Sequence, residues 1–487
     1  MKQRFLTCEM QSVAVALWAT RRARVRHINP ALPTGERLQP MQHVNVKRTS
    51  ACIHIFAAIL LVCFAYPTGA VTLETVLRTT LEKNPAIQEA KAGLEQAAGK
   101  RLVFRSVALP SADLGVPAGL QAGHRSGESG VKGFAVGRGS LDQVLFSMAV
   151  PPSLRRGDTE VLIAQQQLNV TVVEQLHAAR LAFYTALFNR SLESVREQQR
   201  EKLEENVASQ KDRYQAGLAD RSAFTSATVQ SSELVPQIES AHRAYQDAQL
   251  RLAEAMGIDP AKSSLPEPEG ELQFVPRQLD LDSETTAALE RRADLKLARL
   301  FVRAANEDER IIAADYYPSV GGNIHGEYVP VTGIHRQGST SKTQDFIGSE
   351  IVERAAYTWQ VVDNGKVGGA VLQARAAREM NELTCRKLEM NIGRELSHIA
   401  NDLDAIHARE TSLASASEST EESARIVQEN LANGLVSPLE YRVTQNAFLT
   451  TRSGLLDAIY RHNVAAAEWD RATGRYFQFS YETTTSR

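Results

Sequence analysis

The sequence has few aromatic residues. They make up 6% of its 487 positions, whereas hydrophobic residues as a whole make up 43%. A chain of this length and hydrophobic content can bury a large core and form two or three domains. Because Ala, Glu, Gln, Leu and Arg are plentiful instead, the composition favours long helices.

Cysteine is almost absent from the part of the chain that we expect to be mature. Cys8, Cys52 and Cys63 precede residue 71, and only Cys385 follows it. No internal disulfide can form once a leader is removed. An exported chain of this kind needs another source of rigidity.

The leader itself has the pattern of a secretory signal. The stretch KRTSACIHIFAAILLVCFAYPTGA combines a basic start, an apolar run over residues 53–65 and small residues before Val71. The apolar run is too short for a comfortable membrane-spanning helix. We therefore assign residues 1–70 to a leader and signal peptide, with Met41 as an alternative start.

The expected mature chain also has no excess of positive charge. Residues 71–487 keep 46 basic and 55 acidic residues, a formal charge of −9. Proteins that bind nucleic acid use basic surfaces to neutralise phosphates, so no nucleic-acid partner is expected.

Residue patterns that carry enzymatic chemistry are also missing. No convergent acid, base or nucleophile set stands out. The stretch GVKGFAVGRG lacks the Gly-Lys-Ser/Thr ending of a phosphate-binding loop. His398, Asp402 and His407 lie on one predicted helix, but the spacing offers no credible third ligand, so we interpret them as surface residues. The sequence predicts no enzyme, no cofactor and no metal site.

The chain contains a long internal sequence repeat with two copies. KNPAIQEAKAGLEQAAG from Lys83 aligns with RADLKLARLFVRAANED from Arg292, and both copies continue to a Pro-Ser pair, at Pro110 and Pro318. The two copies are 208 residues apart at the Pro-Ser pairs and 217 residues apart at the turns YQAGLADRSAF and LANGLVSPLEY. We divide the mature chain into a first structural repeat (71–257), a linker rich in proline and acidic residues (258–284), a second repeat (285–474) and a C-terminal tail (475–487).

Hydrophobic spacing within each copy predicts very long helices. In the second copy one apolar seam follows the spacing of a coiled coil, through Ile392, Leu396, Ile399, Leu403, Ile406 and Leu413. The first copy has a shorter seam, through Val172, Leu176, Ala179, Phe183 and Ala186. Helices over about 159–215 and 366–432 would be ~85 and ~100 Å long. A shorter helix follows each, over 222–256 and 438–473.

Four segments between the Pro-Ser pairs and the long helices alternate between apolar and polar residues instead. They lie near 114–122, 144–150, 320–330 and 355–361. Each has the length of about ten residues that a tilted strand needs to cross a bilayer. In each copy a polar, glycine-rich loop separates the two segments. The second copy has about nine extra residues, which we place in its loop 332–349.

Four spanning strands cannot close into a barrel, and lipid cannot satisfy the open backbone groups of their edges. The chain must therefore oligomerise. Two copies would form an eight-stranded barrel that side chains plug, whereas three copies form a twelve-stranded barrel with room for an open lumen.

Several motifs resemble those of the outer-membrane efflux proteins typified by TolC. They are VTLETVLRTTLEKNPAIQEAKAGLEQA, the two turns, VVDNGKVGGAVLQARAA, LRLAEAMGIDP and LLDAIYRHNVAAAEWDRATG. The resemblance implies a homotrimer with a β-barrel in the outer membrane and an α-helical coiled-coil tunnel across the periplasm. It also implies docking to an inner-membrane pump through a periplasmic adaptor, in a tripartite efflux or type I secretion system. Such a duct is passive.

Under this resemblance the two turns are helical hairpins at the periplasmic mouth, where adaptors dock. We expect Gly217 and Gly434 to end the long helices in left-handed conformations. We expect Asp220 or Ser222, and Ser437, to cap the next helices, with Pro438 in the first helical position. The turn residues assigned to docking are Gly217, Leu218, Asp220, Ser222, Gly434, Leu435, Ser437 and Pro438.

One acidic stretch precedes the second turn. Glu418, Glu422 and Glu429 share a helix face with Arg425. This face is either a solvated surface with a salt bridge or, in a trimer, an acidic ring in the pore that favours cations. The alternative function for the whole chain is a soluble periplasmic coiled-coil adaptor or scaffold. The sequence does not identify a substrate.

Overall fold

The computed structural model describes residues 70–125, 128–218, 220–328 and 350–479. The predicted leader before Ala70 and the predicted loop 332–349 lie outside these ranges. Within them the two halves of the chain have a similar order of elements, with more strands in the first half. A pair of helices leads to strands, and the strands lead to a very long helix followed by a shorter one.

The described part contains eight α-helices. In the first half they are α1 (Leu73–Lys83), α2 (Pro85–Ser106), α3 (Val150–Gln215) and α4 (Arg221–Met256). In the second half they are α5 (Leu281–Arg291), α6 (Ala293–Ala313), α7 (Lys366–Ala432) and α8 (Pro438–Ala472).

The long helices α3 and α7 contain 66 and 67 residues. At 1.5 Å per residue each is ~100 Å long. Both predicted seams are buried where the helices pack on their neighbours: Val172, Leu176 and Phe183 on α3, and Ile392, Leu396 and Leu403 on α7. The helix predicted over residues 366–432 has the same bounds as the observed α7. The sequence pattern therefore locates the second long helix completely.

The start of α3 corrects the sequence analysis. We expected a strand to include Met148 and Val150 and the helix to begin near residue 159. Instead the strand ends at Phe146 and the helix begins at Val150, with prolines at its first positions. Proline suits the first helical turn, because its missing N–H would have no partner there anyway.

The described strands are β1 (Ala70–Val71), β2 (Ser111–Gly115), β3 (Ala118–Arg125), β4 (Glu128–Ala135), β5 (Gly137–Phe146), β6 (Glu267–Pro268), β7 (Ser319–Tyr328) and β8 (Glu350–Thr358). An antiparallel four-stranded sheet has the order β2-β5-β7-β8, and β3 and β4 form a separate hairpin. The predicted first strand is therefore two strands, divided at Val116 and Pro117. Proline has no N–H for the ladder, although the Pro117 carbonyl still accepts a hydrogen bond from Val136 at 3.0 Å.

One face of the four-stranded sheet is mainly apolar and the other is mainly polar. In its register Leu141 lies opposite Ile324, and Val320 lies opposite Tyr357. The alternate positions bring Asp142 opposite Asn323, whose amide donates to the Asp142 carboxylate at 2.6 Å. The apolar face is exposed in the single chain, with Leu141, Ile324 and Tyr357 all open to the surroundings.

Helix packing places the hydrophobic core along α3 and α7. One cluster joins α1, α3 and α4 around Val76, Phe183 and Leu252. A second joins α5, α6, α7 and α8 around Ile392 and the fully buried Trp469. The helix α3 also packs on α6 and α8 of the other half, so the two halves share one helical layer.

Candidate functional site at the helical turns

The first turn ends α3 with the hydrogen bonds of a Schellman motif. The backbone N–H of Leu218 donates to the Arg213 carbonyl at 2.8 Å, and that of Gly217 donates to the Tyr214 carbonyl at 3.0 Å. Gly217 has a φ of 74°. A residue without Cβ adopts this left-handed conformation at no steric cost.

Asp220 occupies the N-cap position of α4 in an extended conformation. Its carboxylate accepts a hydrogen bond from the Ser222 hydroxyl at 2.7 Å. This bond, and then the Arg221 backbone amide, lower the pKa of Asp220. Asp220 therefore occupies the N-cap position without a side-chain capping hydrogen bond, and Ser222 contacts it from the first turn of the helix.

The second turn repeats the same geometry. The N–H of Leu435 donates to the Asn430 carbonyl at 2.9 Å, and Gly434 has a φ of 73°. The Ser437 hydroxyl oxygen accepts from the Glu440 N–H at 3.2 Å, and Pro438 occupies the first helical position. Both turns end with an exposed leucine, Leu218 in the first and Leu435 in the second. Each turn therefore presents one apolar side chain at its tip.

One contact between the two turns was not predicted from the sequence. The Arg213 guanidinium, near the end of α3, donates to the Leu431 carbonyl at 3.0 Å and to the Ala432 carbonyl at 3.3 Å. These carbonyls belong to the last turn of α7, where Arg213 adds a donor to the Gly434 N–H that already bonds the Leu431 carbonyl at 3.0 Å. Arg213 therefore ties the tips of the two halves together. A basic residue before a helix-ending glycine was the available signal, but nothing local identified its partner.

The acidic face predicted on α7 is exposed and carries an ion-pair cluster. Arg425 donates to the Glu422 carboxylate and to the Glu429 carboxylate, both at 2.7 Å. The Arg425 hydrogen bond lowers the pKa of Glu422. Glu418 is exposed one helical turn before Glu422, on the side of α7 away from buried Ser417 and Ala424. The structure thus brings the three predicted carboxylates onto one exposed face.

His398 and Asp402, which were considered as possible metal ligands, have an ordinary surface geometry. His398 Nδ1 lies 2.9 Å from the Asp402 carboxylate, and both side chains are exposed. In the described ranges, no group of three or more His, Cys, Asp or Glu residues is arranged to hold a metal ion. Nor does any helix in these ranges combine the length and the apolar character needed to cross a membrane.

Comparison with known proteins shows a family likeness over part of the chain. Residues 285–475 match the sequence profile of the family described as outer membrane efflux protein. This segment of the chain is therefore similar to the outer membrane efflux protein family. The segment spans α5 to α8, from the start of the predicted second repeat to its end. No curated protein matches the sequence.

Solved channels share the fold of the matched segment and of the half that precedes it. The Campylobacter jejuni outer membrane channel CmeC has a TM-score of 0.72 at 14% identity, covering 94% of this chain and 96% of CmeC. The Vibrio cholerae outer membrane protein VceC has a TM-score of 0.69 at 16% identity, covering 82% and 96%. The open state of the Neisseria gonorrhoeae MtrE outer membrane channel has a TM-score of 0.67 at 15% identity, covering 82% and 88%. The likeness therefore extends over both halves of the chain.

Proposed function

We propose that this protein is the outer-membrane exit channel of a tripartite efflux pump or type I secretion system. Substrates pass through it from the periplasmic side to the outside, and the pump supplies the energy. The observation that carries the proposal is a segment similar to the outer membrane efflux protein family within a chain that shares the channel fold over both halves.

The open sheet supports a trimeric barrel. In the described chain, the edge strands β2 and β8 each have one neighbour. Their free backbone groups cannot remain unpaired in lipid, and the exposed apolar face around Leu141, Ile324 and Tyr357 suits contact with acyl chains. Three chains close twelve strands into one barrel with an open lumen.

The long helices support a periplasmic tunnel with a docking mouth. Two hairpin tips per chain, each with an exposed leucine, become six similar tips in a trimer, and internal duplication explains why they match. A periplasmic adaptor that presents apolar side chains would pack on Leu218 and Leu435. Glu418, Glu422 and Glu429 would repeat by threefold symmetry into an acidic ring at this end, which favours cations.

A periplasmic adaptor or scaffold is the alternative function. A soluble scaffold has no use for a sheet with two open edges and an exposed apolar face, whereas a channel requires both. The structural likeness to solved channels also favours the exit channel.

Membrane extraction and electrical recording test this function together. We expect the protein to remain in outer membranes after a high-salt wash, because a barrel is embedded in lipid and a scaffold is bound only to the surface. Native mass spectrometry of the detergent-extracted protein should detect three chains, and the protein should form conducting channels in planar bilayers. A stable monomer with helical but no sheet signal in circular dichroism would contradict the proposal.

A further inference from the structure

Each half of the chain ends in a segment that packs on the other half. The glycines Gly257 and Gly474, 217 residues apart, end α4 and α8 with φ of 70° and 69°. The linker that follows Gly257 runs over α8 and α7, and the tail that follows Gly474 runs over α3. We name residues 272–277 the linker strap and residues 474–479 the tail strap.

Two neighbouring residues of α8 hold the backbone of the linker strap. The Nε2 N–H of His462 donates to the Val275 carbonyl at 2.9 Å, and the Asn463 amide donates to the Gln273 carbonyl at 3.0 Å. His462 is 4% exposed. Its Nδ1 atom is buried and has no hydrogen-bond partner in the described chain. The imidazole is therefore held as the neutral form with its proton on Nε2.

An aromatic ring of the linker strap lies against the same histidine. The Phe274 ring centroid is 4.3 Å from that of His462 and 5.5 Å from that of His407 on α7. The linker strap thus contacts both helices of the second half through imidazole rings.

The tail strap is held on α3 in a similar way. The Asn169 amide donates to the Phe479 carbonyl at 3.1 Å, and its side-chain oxygen accepts from the Phe479 N–H at 2.8 Å. About two turns further along α3, His177 packs edge-on against Tyr476, with Nδ1 3.2 Å from the Tyr476 hydroxyl. Phe477 and Phe479 pack on the hydrophobic cluster of α2 and α3. Each strap is therefore held by an asparagine on its backbone and a buried histidine beside an aromatic ring.

Asp470 of α8 connects the two straps. Its carboxylate accepts hydrogen bonds from Arg277 of the linker strap at 2.9 Å and from Arg180 of α3 at 2.8 Å. The Arg180 guanidinium also faces the ring of Tyr476 in the tail strap, 5.9 Å from its centroid. One carboxylate thus serves two guanidinium groups, one from each side of the contact between the halves.

The charged groups around His177 oppose its protonation. Burial, followed by the positive charges of Arg471 on α8 and Arg180 on α3, lowers the pKa of His177 to about 4. The nearest carboxylates are already paired, because Arg471 lies 2.7 Å from Glu395 of α7 and 3.6 Å from Glu174 of α3. No free negative charge in the described chain compensates a proton on this imidazole.

His462 has a comparable environment. Burial lowers its pKa, and Arg277 of the linker strap and His407 of α7 act in the same direction. The Val275 carbonyl and Glu410 of α7 oppose this shift but do not reverse it. Both histidines therefore stay neutral at neutral pH and meet positive charges when they take up a proton.

We propose that the linker strap and the tail strap form an acid-sensitive clasp between the two halves. With neutral histidines, the straps hold α3 against α8 around Asp470. A proton on His462 Nδ1 finds no acceptor, and a proton on His177 adds a third positive charge beside Arg180 and Arg471. Both straps then leave the helices, which keep only their direct contacts. The clasp adds a pH response to the proposed channel and does not depend on conduction.

Limited proteolysis of the full-length, detergent-extracted protein tests the clasp. Pepsin is active in acid and cuts beside accessible aromatic residues, so a released strap is a substrate. A pKa of His177 that changes from about 4 in the clasp to 6.5 in the released strap raises the open fraction on the order of fiftyfold at about pH 4.5. We therefore expect cuts near Phe274 and Phe477 at this pH. Chymotrypsin, which also prefers aromatic residues, should leave both straps intact at neutral pH.

Neutral replacements separate protonation from a general effect of acid. Glutamine still donates a hydrogen bond but takes up no proton, so His462→Gln should protect the linker strap in acid and His177→Gln the tail strap. His242→Gln is the matched control. His242 is exposed and titratable but lies within hydrogen-bond distance of Glu193 and Gln246, outside both straps. This variant should be cut like the wild type.

A permanently open tail provides the reference for the pH profile. Asn169→Ala removes both hydrogen bonds to the Phe479 backbone without changing a titratable group, so its tail strap should be cut at every pH. The cutting rate of the wild type relative to Asn169→Ala should rise as the pH falls towards 4. This ratio cancels the pH dependence of the protease and does not require the glutamine variants to fold.

Two results would overturn the clasp. One is a wild-type ratio that does not change with pH, and the other is equal cutting of the wild type and of a folded His177→Gln/His462→Gln double variant in acid. Neither result bears on trimer formation or conduction, so the proposed function would stand. Failure of the protein to form conducting channels would leave the clasp unaffected.

Discussion

At the residue scale, His177 is a buried titratable group. Its Nδ1 lies 3.2 Å from the Tyr476 hydroxyl, in contact with the segment that follows α8. Burial, followed by the positive charges of Arg471 and Arg180, lowers the pKa of His177 to about 4. Burial also raises the pKa of Tyr476 to about 12. Both groups therefore stay neutral at neutral pH.

The depressed pKa of His177 makes stability depend on pH. The unfolded chain binds a proton near the usual pKa of 6.5, but the folded chain does so only near 4. His177 therefore does not lower the free energy of unfolding above about pH 6.5. As the pH falls towards 4, it lowers the free energy of unfolding by up to ~3 kcal/mol. Thermal unfolding followed by circular dichroism should show this loss, and His177→Gln should reduce it. An unchanged pH dependence in His177→Gln would show that other groups cause it.

At the element scale, the two helical turns have one fold but different surroundings. A Cβ at position 217 would meet no atom within 4 Å, whereas a Cβ at position 434 would lie 3.1 Å from Arg213 Nη2. The second turn is therefore coupled to α3 through Arg213, and the first turn is not coupled to α7 in the same way. The equivalent of Arg213 in the second half is Asn430, whose shorter side chain cannot make the same contact.

Alanine at each turn glycine tests this coupling. Gly217→Ala and Gly434→Ala carry the same backbone cost of about 1–2 kcal/mol for a left-handed residue. Only Gly434→Ala should also displace Arg213 and release the last turn of α7. Hydrogen exchange should therefore speed up at the ends of both α3 and α7 in Gly434→Ala, and at the first turn alone in Gly217→Ala. Arg213→Gln should reproduce the pattern of Gly434→Ala. Confinement of the Gly434→Ala effect to its own turn would contradict the link.

At the scale of the whole molecule, the acidic face of α7 would produce a strong electrostatic field only in an assembly. One chain offers three exposed carboxylates partly balanced by Arg425, which is an ordinary helix surface. Threefold repetition around a pore would concentrate the uncompensated charge at one level, where low-dielectric walls strengthen its field. The same residues thus have different consequences in a monomer and in a trimer.

Reversal potentials across a salt gradient measure that charge. We expect Glu422→Gln and Glu418→Gln to reduce cation selectivity in planar bilayers and Arg425→Gln to increase it, because the substitutions change the net charge of the ring in opposite directions. Glu421→Gln, one position off this face, is the matched control and should have little effect. Unchanged selectivity in the Glu418, Glu422 and Glu429 variants would rule out the ring and leave the channel intact.

Much of the fold follows from the sequence because its signals are local. The heptad spacing around Ile392 and Leu396 located α7 at its observed bounds, since a long helix shows its buried side in every turn. Glycine, serine and proline marked the turns because each has a specific backbone preference. Predictions failed where two local preferences competed. Alternating residues extended a predicted strand to Val150, but the following prolines begin a helix there, and Pro117 divides the first strand.

The sequence alone determined α7, most of α3, the two matched turns and the acidic stretch, because those features depend on residues within a few turns of one another. Only the tertiary structure decided that Arg213 caps a helix 218 residues away and that Met390 is left open where Val173 is buried. These facts depend on which helices become neighbours. Local spacing cannot specify that choice, because packing between distant segments is set by the whole set of complementary surfaces.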